Sequence, residues 1–299
     1  MAFCFHVDES AKGTKRLVRK QIDRALDQLS VPTRSVADEA VHDARRRFKR
    51  TRALLRLVRK SLDKRRYNRE RACFRDAGRP LTEVRDAQVL IDTFEELTRR
   101  FAGQLSGPPF ASVGKALLQR KKAVDKRVFG REAALATVVA TIKAARRRVK
   151  KWTFTEGKRS TLRAGLKKTY RQGLESFSAV LAEPSTENLH EWRKRTKDLW
   201  HQLQLVERIW PAITSRFIEQ AHTLGDYLGE DHDLAVLRDL LANDSFQRAH
   251  RAAVETLLPL IDRRRAKLQQ AARRLGQEAY RDKPKDFVLR LEGKRRSGP

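Results

Sequence analysis

A phrase that begins with histidine and continues with arginine and lysine occurs twice in the chain. The first copy reads Val41-His42-Asp43-Ala44-Arg45-Arg46-Arg47-Phe48-Lys49, and the second reads Leu189-His190-Glu191-Trp192-Arg193-Lys194-Arg195-Thr196-Lys197. The two histidines lie 148 residues apart in a chain of 299 residues. Arginine engages phosphate oxygens as a fork, and lysine engages them as a point charge. Two copies at matching positions predict a duplicated structural unit, with each unit presenting the same cationic surface.

Helical periodicity gathers these cations on one face of each copy, which we call the cationic stripe. With about 100° per residue, an apolar face lies opposite each stripe. The first stripe contains His42, Arg45, Arg46, Lys49, Arg52, Arg56 and Lys60, and the second contains His190, Arg193, Lys194, Lys197, His201, Gln204 and Arg208. Arg47 and Arg195 fall toward the apolar side, so we expect a structural role for them. No acid lies between Ala44 and Ser61, and this unrelieved repulsion favours an anionic ligand over a merely solvated surface.

The whole composition favours a polyanionic partner. The chain has 67 Lys and Arg against 37 Asp and Glu, a net charge of +30, and its 40% of apolar residues suffices for a core. Nucleic acid, an anionic membrane surface and a phosphate polymer all fit this charge. No apolar stretch is long enough to span a membrane, and the first ten residues lack the order of a secretory signal. Cys4 and Cys73 lack metal-ligand spacing, so we expect a cytoplasmic protein with free cysteines and no metal.

The elements that carry the stripes are predicted to be helices. Nearly every segment has a period of 3.6 residues, and alternating runs typical of strands are absent. The predicted helices are 9–30, 37–62, 67–77, 83–101, 112–129, 132–151, 160–181, 186–209, 214–228, 233–241, 245–276 and 277–281. Proline and glycine mark the breaks, and Pro259 is expected to kink or end the helix around it. The fold class is therefore all-α.

Two further blocks recur in the same order as the histidine phrase. Before the phrase, Lys15, Arg19 and Lys20 correspond to Arg163, Lys167 and Lys168 at the same separation of 148 residues. After it, residues 81–90 correspond to residues 228–237 at a separation of 147. Three collinear blocks predict an internal duplication, with the halves meeting near residues 152–157.

The third block contains acids that allow more than one role. Asp86 and Asp233 are placed at or near helix starts, where a carboxylate complements the helix dipole. The alternative is that each carboxylate holds an arginine or the histidine of the stripe in position. The run Glu230-Asp231-His232-Asp233 also resembles a metal-binding sequence, but it has one histidine and its counterpart Glu83-Val84-Arg85-Asp86 has none. We therefore assign no metal.

These blocks resemble the CHAD domain, the conserved histidine α-helical domain. The resemblance covers residues 3–290 and is most specific at the two histidine phrases. It implies one compact body of two homologous antiparallel four-helix bundles, related by pseudo-twofold symmetry, with a basic groove that binds inorganic polyphosphate. The first repeat then spans about residues 3–151 and the second about 158–290, and residues 291–299 form a basic disordered tail. Members of the family are associated with polyphosphate granules, so this protein is expected there.

The resemblance also assigns residues to the site by position. The polyphosphate contacts it implies are His42, Arg45, Arg46 and Lys49, their mates His190, Arg193, Lys194 and Lys197, and the flanking Lys15, Arg19, Lys20, Arg163, Lys167 and Arg171. Arg52 and Arg56 extend the first stripe, where the second has Trp200 and Gln204. The two halves are therefore expected to bind unequally.

Three functions compete at this point. The favoured one is non-enzymatic binding of inorganic polyphosphate, without a cofactor. The second is binding of the nucleic-acid backbone, although the stripes contain few residues for base stacking or readout. The third, a metal-dependent phosphohydrolase, requires converging metal ligands, whereas these histidines lie among cations. The sequence leaves the oligomeric state open.

Overall fold

The computed structural model describes residues 3–6, 11–29, 37–129, 132–154 and 159–293. Within these ranges the chain forms helices and no strand, so the predicted all-α class is confirmed. In chain order the helices are α1 (Ala11–Leu29), α2 (Ala37–Leu57), a short 3-10 helix (Arg59–Ser61), α3 (Lys64–Asp76), α4 (Thr82–Arg100), α5 (Pro108–Phe129), α6 (Glu132–Lys150), α7 (Arg159–Ala182), α8 (Thr186–Val206), α9 (Pro211–Leu241), α10 (Asp244–Ala249), α11 (Arg251–Ala279) and α12 (Pro284–Leu291). None of the described helices is long and apolar enough to cross a bilayer.

The largest departure from the predicted helices is α9, which is continuous where we expected helices 214–228 and 233–241. With the separation of 147 residues, α9 matches α3 and α4 together. The first half breaks at Pro80, which cannot donate the backbone hydrogen bond that a continuing helix needs. The matching residue is Tyr227, which imposes no such break. Asp233 therefore lies deep inside a helix, and the dipole explanation is wrong for it.

Other boundaries also differ. The helix that carries the first stripe ends at Leu57, so Lys60 belongs to the following 3-10 helix. The start of α3 precedes the predicted one because the Asp63 carboxylate accepts hydrogen bonds from the backbone N–H groups of Arg65 at 2.9 Å and Arg66 at 3.2 Å. Pro259 does not end its helix.

The C-terminal segment is folded further than predicted. The predicted helix 245–276 is α10 followed by α11, and α11 continues to Ala279, so 277–281 is not a separate helix. The unpredicted α12 ends with the buried Leu291. Glu292 forms an ion pair with Arg163, so the predicted tail begins too early. Its residues 294–299 lie outside the described residues.

The two halves share their apolar cores. The larger core includes Leu54 and Leu55 of α2 together with Leu203 and Leu205 of α8. The smaller core combines α4 and α5 of the first half with α9 and α11 of the second. A Cβ on Gly165 of α7 would lie 2.1 Å from the carbonyl oxygen of Leu57, so only glycine permits this approach. Both cores of the described residues therefore contain side chains from the two halves.

The helices that carry the two stripes pack against each other. The Gln202 side-chain amide of α8 donates a hydrogen bond of 3.2 Å to the carbonyl oxygen of Ala53 in α2. The packing brings the stripes to one region of the molecule. The pseudo-twofold relation, the repeat boundaries and the basic groove stay predictions.

Candidate functional site

The acid inside each histidine phrase neutralises two of the cations that follow it. Asp43 forms ion pairs with Arg46 and with Arg47, the latter at 2.7 Å. Glu191 forms the same pairs with Lys194 and with Arg195. Residues three and four positions apart share a helix face, so the phrase itself dictates these pairs. Burial opposes the effect, but hydrogen bonds and charge from Arg47 and Arg46 hold the pKa of Asp43 below its usual value.

These ion pairs separate the predicted ligand contacts of each phrase into paired and unpaired cations. Arg46 and Lys194 are exposed but already paired, so they are not the free cations we expected. Arg47 is buried and Arg195 is half-buried, which fits the structural role predicted for both. The cations of the phrase that form no ion pair among the described residues are therefore Arg45, Lys49 and Arg193, whereas Lys197 pairs with Asp226.

Lys49 lies at the centre of the cations that come together, which we call the Lys49 cluster: Lys49, Arg45, Arg52, Arg193 and Lys197. The Lys49 side chain is exposed and forms no ion pair within the described ranges. Desolvation by the surrounding protein, followed by the charges of the other four members, lowers its pKa to about 8. The cluster includes residues of both α2 and α8, so the two stripes contribute to one cationic centre.

The backbone at the end of α3 and the start of α4 holds Arg45 in the cluster. Its guanidinium donates a hydrogen bond of 3.2 Å to the carbonyl oxygen of Gly78 and another to the Thr82 hydroxyl. The counterpart Arg193 lies over Gly229, which takes the place of Thr82, and the Arg193 Nε is buried without a partner. Arg193 of the second half therefore has more unused hydrogen-bond donors than Arg45 of the first.

Lys197 packs against α9 at a second glycine. A Cβ on Gly225 would lie 3.0 Å from the Lys197 Cε, so the absent side chain makes room for the lysine stem. The Lys197 ammonium is 3.0 Å from the Asp226 carboxylate and 5.2 Å from the centre of the Trp200 ring. Lys197 is consequently partly neutralised, unlike Lys49.

Asp86 and Asp233 meet at the Lys49 cluster from α4 and α9. Desolvation raises the pKa of both carboxyls, whereas Lys49 and Arg193 act on both in the opposite direction. The charge of Asp86 also raises the pKa of Asp233, which shows that the two acids are neighbours. Neither forms an ion pair in the described part of the chain. Their predicted role, to hold an arginine in place, stays a prediction.

Each histidine of the duplicated phrase faces the same position in the repeated block of residues 81–90 and 228–237. His42 is near Arg85, whose charge follows desolvation in lowering the His42 pKa. The Nδ1 of His190 is 3.2 Å from the Nδ1 of His232, which occupies the position of Arg85 in the second half. The repeat aligns Arg85 with His232, and neither is among the predicted contacts.

Several predicted contacts are engaged elsewhere. The Lys15 ammonium donates a hydrogen bond of 3.1 Å to the carbonyl oxygen of Lys150, and Arg163 pairs with Glu292. Arg56 pairs with Asp198 of the other half. His201 is buried beside Trp200, and desolvation lowers its pKa to about 3, so it is not part of an open stripe.

The remaining flanking cations form their own groups. Lys20 is near Arg16 and Arg24, and Lys168 is near Arg171 and Arg59. Arg19 and Lys167 are half-buried and form no ion pair in the described residues. The structure does not place these predicted contacts in the Lys49 cluster. Arg71 of α3, which was not among the predicted contacts, lies near Arg52 of the cluster and near Asp198.

Comparison with known proteins agrees with the resemblance that the two histidine phrases indicate. The family model of the CHAD domain matches residues 16–242, which include both histidine phrases. The chain belongs to the CHAD family. This CHAD protein is similar in structure to PptA from Streptomyces chartreusis, with a TM-score of 0.64 and 15% identity over 91% of this chain and 99% of that one.

A second solved structure has the same fold. It is the CHAD domain from the plant Ricinus communis, with a TM-score of 0.59 and 14% identity over 99% of this chain and 96% of that one. Comparison with curated protein sequences finds no match. Within the described residues of this CHAD protein, no group of three or more histidine, cysteine or acidic side chains is arranged to hold a metal ion.

Proposed function

We propose that this CHAD protein binds inorganic polyphosphate without converting it chemically. The observation that carries the proposal is the Lys49 cluster, where an exposed lysine without an ion pair is surrounded by four further cations. Such clustering is unfavourable in the free protein and is relieved by an anion. The relief is largest for a ligand that carries many charges close together.

A phosphate polymer fits the cluster better than a single phosphate. Arg45 and Lys49 lie one turn apart on α2, and Arg193 and Lys197 lie one turn apart on α8. Successive turns rise about 5.4 Å, so each helix offers cations at a spacing that a chain of linked phosphates can follow. Many weak contacts to one chain then give affinity that a monophosphate does not reach.

Membership of the CHAD family supports the same ligand, because the family is associated with polyphosphate binding. We extend the proposal to association with polyphosphate granules, since a protein that binds the polymer through exposed cations would collect where it is concentrated. Fluorescence microscopy of the tagged protein beside a polyphosphate stain tests this extension.

Competition calorimetry tests the proposed ligand. We expect long-chain polyphosphate to bind the wild type, and Arg45→Ala/Arg193→Ala to lose most of the affinity. Lys115→Ala/Lys143→Ala removes two exposed lysines, of α5 and α6, that form no ion pair within the described residues, and serves as the charge-matched control. Displacement of polyphosphate by duplex DNA at equal phosphate concentration would favour nucleic acid instead. Release of phosphate in the presence of magnesium or manganese would contradict a non-enzymatic role.

A further inference from the structure

The two halves differ in the charge that faces the histidine of each phrase. In the first half His42 faces Arg85, which as an arginine carries a fixed charge and pairs with the Asp92 carboxylate at 3.3 Å. In the second half the same position is His232, and its ring centre lies 4.4 Å from that of His190. A permanent charge in one half is therefore replaced by a group that can gain or lose a proton.

The contact between the imidazoles determines where a proton can be added. At an Nδ1–Nδ1 distance of 3.2 Å, one ring donates its Nδ1–H and the other accepts. The donating ring then has a free lone pair on Nε2, and the accepting ring carries its hydrogen there. A first added proton goes to that free Nε2 without breaking the contact. The resulting pair has one positive charge and two Nε2–H donors.

The surroundings oppose this proton as long as no anion is present. Desolvation is the first cause that lowers the pKa of both imidazoles, and that of His232 falls to about 4. The charged groups that face the pair come from α2, α8 and α11: Lys49, Arg193, Lys194, Glu191 and Arg265. Glu191 and Arg265 are already paired, with Lys194 and with Asp231, so Lys49 and Arg193 are the unpaired cations. The same two cations attract an anionic ligand to the pair.

We propose that His190 and His232 form a proton-dependent phosphate subsite in the second half, where the first half holds the fixed charge of Arg85. The inference rests on the proposed function, because the phosphate of a bound polymer supplies the negative charge that stabilises the added proton. Mild acid then strengthens binding through the second half and leaves the contribution of Arg85 unchanged. If the ligand restores one imidazole to an ordinary pKa near 6.5, affinity rises about tenfold from pH 7.5 to pH 5.5.

Calorimetry in two buffers of different ionisation enthalpy measures the protons taken up on binding. With long-chain polyphosphate near pH 6, the wild type should take up as much as about one proton more than His232→Arg. This variant carries arginine, as the first half does at position 85. Arg85→His should show the opposite change. Titration of the polymer's own end groups is the same in all variants and cancels in the difference.

His232→Gln supplies a second variant, because an amide keeps a hydrogen bond to His190 but does not titrate. Equal proton uptake by the wild type, His232→Arg and His232→Gln would overturn the subsite. Binding of polyphosphate at pH 7.5 by all of them would still support the proposed function. Absence of binding by the wild type at both pH values would instead remove the proposed function and the subsite with it.

Discussion

Lys49 should destabilise the free protein and strengthen ligand binding, so Lys49→Met separates the two effects. The fall of its pKa from 10.5 to about 8 corresponds to roughly 3.4 kcal/mol at 1.36 kcal/mol per pKa unit. Desolvation is the first cause of this cost and repulsion by the neighbouring cations is the second. Because the side chain is exposed, solvent reduces both, and about 1 kcal/mol is a realistic value. Methionine keeps an apolar stem and removes the charge. We expect the variant to be more stable by about that amount at pH 7, with a melting temperature about 2 °C higher.

The pH dependence of this stability difference identifies the charge of Lys49 as its cause. Below pH 8 Lys49 is charged in both the folded and unfolded states, so the folded wild type carries the full cost. Between about pH 8 and 10.5 the folded state releases the proton before the unfolded state does, and the wild type gains stability. The advantage of Lys49→Met should therefore shrink across this range in urea unfolding experiments.

The same variant should bind polyphosphate less tightly. Loss of one phosphate contact should reduce the slope of log affinity against log salt by roughly 0.7 to 1. Lys143→Met is the control and should change neither stability nor the salt slope. A Lys49→Met protein that is less stable at pH 7, or whose stability difference does not vary from pH 8 to 10.5, would refute the reasoning.

Three further variants test the contacts around the cluster. Asp198→Ala removes the only ion-pair partner that Arg56 has among the described residues and should cost about 3 kcal/mol in urea unfolding, and adding Arg56→Met should recover part of it. A double mutant no more stable than Asp198→Ala would contradict this. Glu191→Gln frees Lys194 and Arg195, so calorimetry should show tighter polyphosphate binding and a steeper salt dependence; unchanged binding would mean that the ligand does not reach them. Asp233→Asn removes a negative charge beside Arg193 and should also raise affinity; a fall in affinity would contradict this and would mean that the carboxylate positions that arginine.

Local periodicity predicted the helices and the composition of each stripe because both depend on neighbouring residues. The pairs of Asp43 with Arg46 and Arg47 were equally predictable, since spacings of three and four residues decide them. The helices predicted at 214–228 and 233–241 are one helix because residues 229–232 between them contain no proline to break it. The Lys49 cluster could not be predicted from either stripe alone. Its members are joined by the packing of α2 on α8, which is a tertiary contact.

The shared core explains how the molecule tolerates its clustered cations. The charge of Lys49 costs about 1 kcal/mol through desolvation and repulsion after screening, whereas burial of each large apolar side chain contributes roughly 1.5 to 3 kcal/mol. Leu54 and Leu55 of one half pack in the same core as Leu203 and Leu205 of the other. The contact that brings the two stripes together is thus the contact that stabilises the fold. A cationic centre built across this contact cannot lose its geometry without exposing the core, so the repulsion is held in the folded protein and remains available to favour an anionic ligand.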